Sequence, residues 1–314
     1  MRIVFMGTPE FAVPSLEALL KSDDQVVGIV TQPDRPKGRG QSLTSSPIKL
    51  IAEREKLPIL QPTKMKDPMF LDALTAWKPD VITVAAFGRI LPPAILNLPP
   101  RGCINVHGSL LPKYRGAGPI QWAIIDGETE TGITTMLMDE GMDTGAILLQ
   151  ERLAIAPKDT AGTLSPRLAE LGGRLLIKTL AQLKAGTLVS HQQDHARATM
   201  APLLKKEDGM IDWTISATAI ANRIRGLTPW PGAYTFAGED RWTIWRAAAV
   251  TKQVTELPGT VMHVTKDAVH VATGDGVLML AELQPANRRR MTVSQYLAGH
   301  PISVGSILGG SSHP

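Results

Sequence analysis

The sequence predicts two architectures in series: an α/β unit with a Rossmann-like parallel sheet, then a small OB-like β-barrel. Three observations predict this. Up to residue 189, short apolar runs alternate with segments of helical apolar period, the pattern of β-α-β units. Residues 190–199 are polar and break the alternation. From 207 onward, short β-rich runs recur between turns, as in small barrels. The expected division is a domain at 1–189, a linker at 190–206 and a second domain at 207–314.

Each element has a local reason. Residues 2–6 are apolar and read as a strand, which Gly7, Thr8, Pro9 and Glu10 turn into a helix over 11–20. Thr8 has the chemistry of an N-cap and Pro9 that of a first helical residue. A strand over 26–31 completes one unit with a right-handed crossover. Helices are expected over 47–56, 68–77 and 162–183, the last with Leu164, Leu168, Leu171, Leu175, Leu176 and Leu180 on one face. Further strands are expected over 80–85, 102–106, 132–138 and 146–149. The turn at 7–10 is not Gly-x-Gly-x-x-Gly. Pro9 and Phe11 stand where a dinucleotide loop needs small residues, which argues against a nicotinamide cofactor. In the polar stretch, His191, Gln192, Gln193, Asp194 and His195 read as solvated linker. In the second domain a helix is expected over 217–225, with strands over 233–236, 243–248, 259–264, 268–272 and 277–284.

Composition narrows the class. The chain has 314 residues, 43% of them hydrophobic, enough for two cored domains. It has no apolar run long enough to span a bilayer. Its first residues lack the apolar stretch and cleavage site of a signal peptide, so a cytoplasmic protein is expected. The single cysteine, Cys103, excludes an internal disulfide and a cysteine-based zinc cluster. No ligand spacing implies a metal. The formal charge of +4, with a pI near 9.2, permits an anionic partner without demanding one.

The residues that could carry chemistry lie in Asn105-Val106-His107-Gly108-Ser109-Leu110-Leu111-Pro112 and in the acidic loop 139–145. Residues two apart on a strand project to one face. Asn105 and His107 are therefore expected side by side at the carboxyl end of their strand, where open α/β sheets bind ligands. An amide donates to an oxygen that gains negative charge, and an imidazole adds a donor or moves a proton. A carboxylate such as Asp143 can orient the imidazole or take a proton from a nucleophile. The set suits transfer of an acyl group to an amine. Alone, an Asn-x-His pair also serves as a plain structural contact. The turn-rich loops 109–116 and 139–145 add the walls of a site.

Three further segments join this one: Phe5-Met6-Gly7-Thr8-Pro9-Glu10-Phe11-Ala12, Gln32-Pro33-Asp34-Arg35-Pro36-Lys37-Gly38-Arg39-Gly40, and Lys206-Glu207-Asp208-Gly209-Met210-Ile211-Asp212-Trp213. Together the chain resembles the methionyl-tRNA formyltransferase family over nearly its full length. Segments 105–112 and 139–145 resemble the site shared by formyltransferases that use 10-formyltetrahydrofolate. One departure is Met200, where an aromatic residue is expected.

The resemblance implies a Rossmann-like formyltransferase domain, 10-formyltetrahydrofolate as formyl donor, and the α-amino group of methionyl-initiator tRNA as acceptor. It implies that Asn105 and His107 hold the oxyanion, while Asp143 orients His107 and accepts the amine proton through a water. The folate is expected beside Phe87, Gly88, Arg89, Ile90, Leu91 and Pro92, and beside Ser109, Leu110, Leu111, Pro112 and Asp139. Residues 33–47 are expected as a loop without secondary structure. Its Arg35, Lys37 and above all Arg39 would reach the acceptor end of the tRNA. Lys205, Lys206, Arg288, Arg289 and Arg290 would meet phosphates from the C-terminal tRNA-binding domain. A monomer that binds no membrane is expected. A sugar-nucleotide N-formyltransferase or a formyltetrahydrofolate hydrolase would use the same three catalytic residues but would have no need of the basic loop.

Overall fold

In the computed structural model, which describes residues 1–37 and 42–309, apolar strands at the expected places assemble the first sheet. Its strands in chain order are β1 (Arg2–Gly7), β2 (Gln25–Val30), β5 (Ile59–Leu60), β6 (Val81–Ala85), β7 (Cys103–His107), β8 (Glu130–Leu137) and β9 (Ile147–Ala154), while the short pair β3 (Arg35–Lys37) and β4 (Ser42–Thr44) forms a separate two-stranded sheet. The spatial order is β5-β2-β1-β6-β7-β8-β9. The first five are parallel. The last two run antiparallel, β8 to β7 and β9 to β8. Strand order reverses between β1 and β6, and ligands bind outside the carboxyl ends at such a switch point. Those ends carry Gly7, Ala85 and His107.

Local chemistry explains the helices. Pro47–Arg54 and Pro68–Ala76 begin with proline, and the side chains of Ser46 and Asp67 cap their first turns. The long helix Ala161–Ala185 buries Leu168, Leu171, Leu175, Leu176 and Leu180, and Thr179 meets Thr135 of β8 at 2.8 Å. The 7–10 turn departs from the expected cap. A 3₁₀ turn at Glu10–Ala12 precedes the helix Val13–Leu20, with Pro9 at the N-cap and no side-chain cap. The Thr8 hydroxyl instead accepts from the Gln32 backbone N–H (3.3 Å) and donates to the Phe87 carbonyl (3.5 Å). Standing between the ends of β2 and β6, it finds tertiary partners that replace the local one.

Residues 33–47 also differ from the expectation. They contain an antiparallel pair, β3 with β4, in the register Arg35↔Thr44, Pro36↔Leu43 and Lys37↔Ser42. Backbone pairing therefore gives the basic segment a defined root. Asp34, just before β3, accepts from Lys49 (2.5 Å) and Gln61 (2.9 Å). Those contacts hold its carboxyl below the usual range, against a smaller opposing effect of burial.

The chain divides into two units. One holds Met1–Pro119, Glu130–Ala154 and Ser165–Pro202; the other holds Ile120–Thr129, Ile155–Leu164 and Leu203–Pro314. The second unit is an antiparallel sheet of β10 (Ala233–Ala237), β11 (Asp240–Val250), β12 (Val261–Val264), β13 (Val269–Ala272), β14 (Val277–Pro285), β15 (Met291–Thr292) and β16 (Leu308–Gly309). The order β12-β13-β14-β11-β10-β16 curls on itself, with β15 beside β14. Backbone bonds Val261 N–H to Ser306 O and Leu308 N–H to Gly259 O, both 2.8 Å, join its two ends. A Cβ on Gly259, at φ +90°, would lie 2.3 Å from the Leu308 carbonyl oxygen, so the joint needs glycine. The interior holds Trp213, Ile220, Ile224, Trp242, Ile244 and Leu280, with Trp122 and Ile125 of the helix Pro119–Ile125 packed against it. This is the expected OB-like barrel, with β15 and β16 added to the five expected strands.

Candidate active site

The site begins with the two-residue period of β7. Asn105 and His107 fall on one face, and both meet Asp143 from the 138–146 connection. Asn105 Nδ2 donates to Asp143 Oδ1 at 3.4 Å. His107 Nδ1 lies 3.6 Å from Asp143 Oδ2. The same Oδ2 accepts from the Gly116 backbone N–H at 2.9 Å. His107 is buried and Asn105 half-buried, so the amide keeps a face toward incoming groups. His107 Nε2 sits 2.9 Å from the Tyr114 carbonyl oxygen. A carbonyl only accepts, so Nε2 carries its hydrogen there. That leaves Nδ1, on the Asp143 side, as the atom that gains or loses a proton.

Asp143 is held in an uncommon conformation, φ +53°, which asparagine and aspartate tolerate better than most residues. A Cβ on Gly145 would fall 1.7 Å from the Leu137 carbonyl oxygen, so the connection returns to β9 only with glycine there. Asp139, expected beside the folate, is exposed and bonds within its own loop. Its Oδ1 accepts from Gly141 N–H (3.1 Å) and Thr144 Oγ1 (2.6 Å) and so shapes the acidic loop.

The 109–112 segment is fastened from below. Ser109 Oγ donates to the Lys113 carbonyl at 2.6 Å. Thr134, directly across from His107 in the β7–β8 register, donates to the Ser109 carbonyl (2.7 Å) and accepts from Leu111 N–H (3.1 Å) and Gln150 Nε2 (2.9 Å). Gln150 also donates to the Leu111 carbonyl at 2.8 Å. Leu111 is buried, while Leu110 and Pro112 are half-buried. In the 87–92 segment Phe87 and Leu91 enter the core, and Pro92 is buried. The Phe87 carbonyl is taken by Gln32 Nε2 at 2.8 Å. Gly88 and Ile90 are exposed and Arg89 half-buried, so these three are the part of the segment open to a ligand.

The polar stretch read as solvated linker is not solvated where it meets the site. Gln193 is 5% exposed and Arg115 6%. Gln193 bonds to the 143–145 backbone and to Arg115, and His195 Nδ1 meets Arg115 at 3.1 Å. Backbone bonds Arg115 N–H to Thr199 O (2.9 Å) and Ala201 N–H to Arg115 O (2.7 Å) lay 199–201 along 115. Met200, the departure from the resemblance, pairs with Arg115 in that bridge and is exposed. Thr134, Gln150, Arg115 and Gln193 are the residues that sequence reasoning missed, because local pattern carries no signal for polar groups buried by tertiary partners.

The basic residues fall in several places. Arg35 and Lys37 lie on β3. Arg39 lies outside the described residues. Lys205 and Lys206 are exposed at the start of the stretch leading into the barrel. Arg290 donates to Glu282, 2.5 Å at Nη2, and lies over the Trp245 ring at 4.9 Å. Arg288 contacts His300 at 3.0 Å. Arg289 is exposed. Among the described residues no group of three or more His, Cys, Asp or Glu side chains could hold a metal, and no helix is long and apolar enough to cross a membrane.

Comparison with known proteins places this geometry. The family described as formyl transferase matches residues 1–180, and its C-terminal domain matches residues 203–301. A methionyl-tRNA formyltransferase of Desulfotalea psychrophila is 53% identical over 308 residues, 98% of this chain and 95% of that protein. One of Syntrophus aciditrophicus is 50% identical, covering 98% of both chains. Among solved structures, the N-formyltransferase of Helicobacter canadensis, in complex with folinic acid and dTDP-3-aminofucose, superposes with a TM-score of 0.69 at 19% identity, covering 90% of this chain and 99% of that one; at that identity the likeness is one of fold. With both domains matched and half its residues shared with such relatives across its length, the chain belongs to the formyltransferase family, among the methionyl-tRNA formyltransferases.

Proposed function

We propose that this chain moves the formyl group of 10-formyltetrahydrofolate onto the α-amino group of methionyl-initiator tRNA, giving N-formylmethionyl-tRNA for translation initiation. The observation that carries it is the convergence of Asn105 and His107 on Asp143 at the carboxyl end of β7, in a chain about half identical, end to end, to methionyl-tRNA formyltransferases.

The donor set fits the reaction. The folate supplies a formyl carbon joined to a nitrogen leaving group. Exposed Gly88 and Ile90 and half-buried Arg89, Leu110 and Pro112 are the surfaces offered to it. The attacking α-amine has a pKa near 8 (about 7.7–8.0) and must be neutral to attack. As the new carbon–nitrogen bond forms, negative charge builds on the formyl oxygen. The Asn105 amide donates to it, and so does Nδ1–H of His107 in its imidazolium form, the second ring hydrogen staying on Nε2 against the Tyr114 carbonyl. Asp143 aligns both donors and receives, through a water, the proton that the amine sheds. A proton then passes to the departing folate nitrogen from His107 or from the water beside Asp143, so one proton leaves the acceptor and one reaches the donor.

The remaining assignments follow from the same reading. Residues 1–189 carry the chemistry, and 207–314 hold the tRNA. Arg35, Lys37 and Arg39 approach the acceptor end, while Lys205, Lys206 and Arg288–Arg290 meet phosphates. The enzyme works as a cytoplasmic monomer. The test is single-turnover transfer of labelled formyl to methionyl-initiator tRNA beside methionyl-elongator tRNA, repeated with Arg39→Ala. Fast transfer to the initiator alone is expected, and the variant should lose that preference. Formate release with neither tRNA modified would overturn the acceptor assignment.

A further inference from the structure

Arg115 and Gln193 form a buried polar pair, met from the exposed side by His195, that the reaction above does not use. The Gln193 amide nitrogen donates to the carbonyls of Asp143 (2.9 Å) and Gly145 (2.7 Å). Its oxygen accepts from Arg115 Nε (3.1 Å) and Nη2 (2.7 Å). Arg115 Nη2 also donates to His195 Nδ1 at 3.1 Å. The next residue, Gly116, gives its N–H to the Asp143 carboxylate. Asp143 is thus gripped twice, by backbone through Gln193 and by side chain through Gly116, and both grips trace to Arg115 and its neighbour.

The direction of this chain is fixed by its groups. Guanidinium only donates and carbonyls only accept. A residue between them must accept on one side and donate twice on the other. A primary amide of glutamine length does so; a carboxylate of the same shape does not. Asp143 also needs holding, because its φ of +53° persists only where the surroundings over-determine it.

We propose that Gln193 and Arg115 are positioning residues for the transfer reaction: they set the 143–145 backbone so that the Asp143 carboxylate meets Asn105 and His107 together. This rests on the assignment of Asp143 to catalysis. The stretch that reads as a linker is then part of the site's framework, and catalysis depends on residues far along the chain from the Asn-x-His strand.

The experiment compares Gln193→Glu, Arg115→Lys and Asp143→Asn in the full-length enzyme, with kcat, KM for each substrate, the pH dependence of kcat and the thermal midpoint measured for each. Gln193→Glu keeps the Arg115 contact but turns an oxygen toward two carbonyls. Its kcat should fall by up to about 100-fold, the loss that a displacement near 1 Å brings. KM for both substrates should stay within about twofold and the pH profile should shift, since a misplaced carboxylate changes chemistry rather than binding. Arg115→Lys keeps the charge without the fork and should fall between this variant and wild type; it carries the test if Gln193→Glu does not fold. Wild-type kcat and pH profile in both variants, with Asp143→Asn inactive, would overturn the positioning role. Wild-type activity in Asp143→Asn would instead overturn the catalytic assignment beneath it.

Discussion

Thr134 offers a sharp test of how the site is held. Its hydroxyl is fully buried and serves three partners, the Ser109 carbonyl, the Leu111 N–H and Gln150 Nε2. Thr134→Val keeps the shape and removes the oxygen. A typical hydrogen bond contributes about 1 kcal/mol net, and a buried group left without a partner costs roughly 1–3 kcal/mol. Gln150 retains its bond to the Leu111 carbonyl, so it is not fully orphaned. The Ser109 carbonyl and Leu111 N–H are the larger losses, and the expected destabilisation is about 2–4 kcal/mol. Thr134→Ser keeps the oxygen and loses one methyl, with an expected cost of about 1 kcal/mol. Urea unfolding followed by a probe in the first unit measures both. Activity should follow, because the released segment 109–112 begins two residues after His107. A Thr134→Val protein as stable and as active as Thr134→Ser would refute the argument that this hydroxyl anchors the loop.

Three other outcomes are expected. Asn105→Ala should lose roughly 100- to 1000-fold in single-turnover rate, the usual cost of one oxyanion donor, and a wild-type rate would remove Asn105 from the chemistry. Cys103 should ignore thiol reagents in the folded protein, because burial pushes its thiol up to about 12 and only the thiolate reacts; labelling should track unfolding, and fast labelling under native conditions contradicts this. Burial tends to raise the Glu282 pKa, but hydrogen bonds from Arg290 and Arg246 prevail and hold it below the ordinary range. A depressed carboxyl stabilises the fold above the unfolded value and loses that contribution as pH falls through the folded one. The stability advantage of wild type over Glu282→Gln should therefore be full at pH 7 and shrink below about pH 4; urea midpoints at both pH values measure it, and an advantage that grows in acid would reverse the sign.

How much was legible follows from the kind of signal each feature leaves. The period of two along β7 is local, so Asn105 and His107 could be set on one face from sequence alone. Asp143 could be offered from its chemistry as a carboxylate for the imidazole, but only the resemblance tied it to these two, since nothing local says where the acidic loop folds back. The antiparallel direction of β8 and β9 leaves no trace in apolar period, although the 138–146 connection is shorter than the dozen or so residues a parallel crossover needs. The helix Pro119–Ile125 went unseen because a short, nearly all-apolar segment has no face to contrast. The pairing of β3 with β4 was hidden by its brevity and by Pro33, Pro36, Gly38 and Gly40 in and beside it. Gln193 and Arg115 were the deepest omission. A run of His, Gln and Asp matches a solvated linker by every local measure, and His191, Gln192, Asp194 and His195 are exposed as expected; only the carbonyls waiting at 143 and 145 make Gln193 a buried support.

The second unit is assembled from separated stretches of chain. Residues 120–129 and 155–164 belong with the barrel rather than with the sheet that surrounds them in sequence. Ile125 lies against Gly226, whose added Cβ would come within 2.6 Å of it, and Arg225 donates to the Asp159 carbonyl at 2.8 Å. A barrel inherited through one recombination breakpoint near residue 203 would arrive without its own inserts and meet another protein's in their place. Exchange of barrels between relatives should therefore succeed only between closely matched sequences, or with the two short inserts carried along.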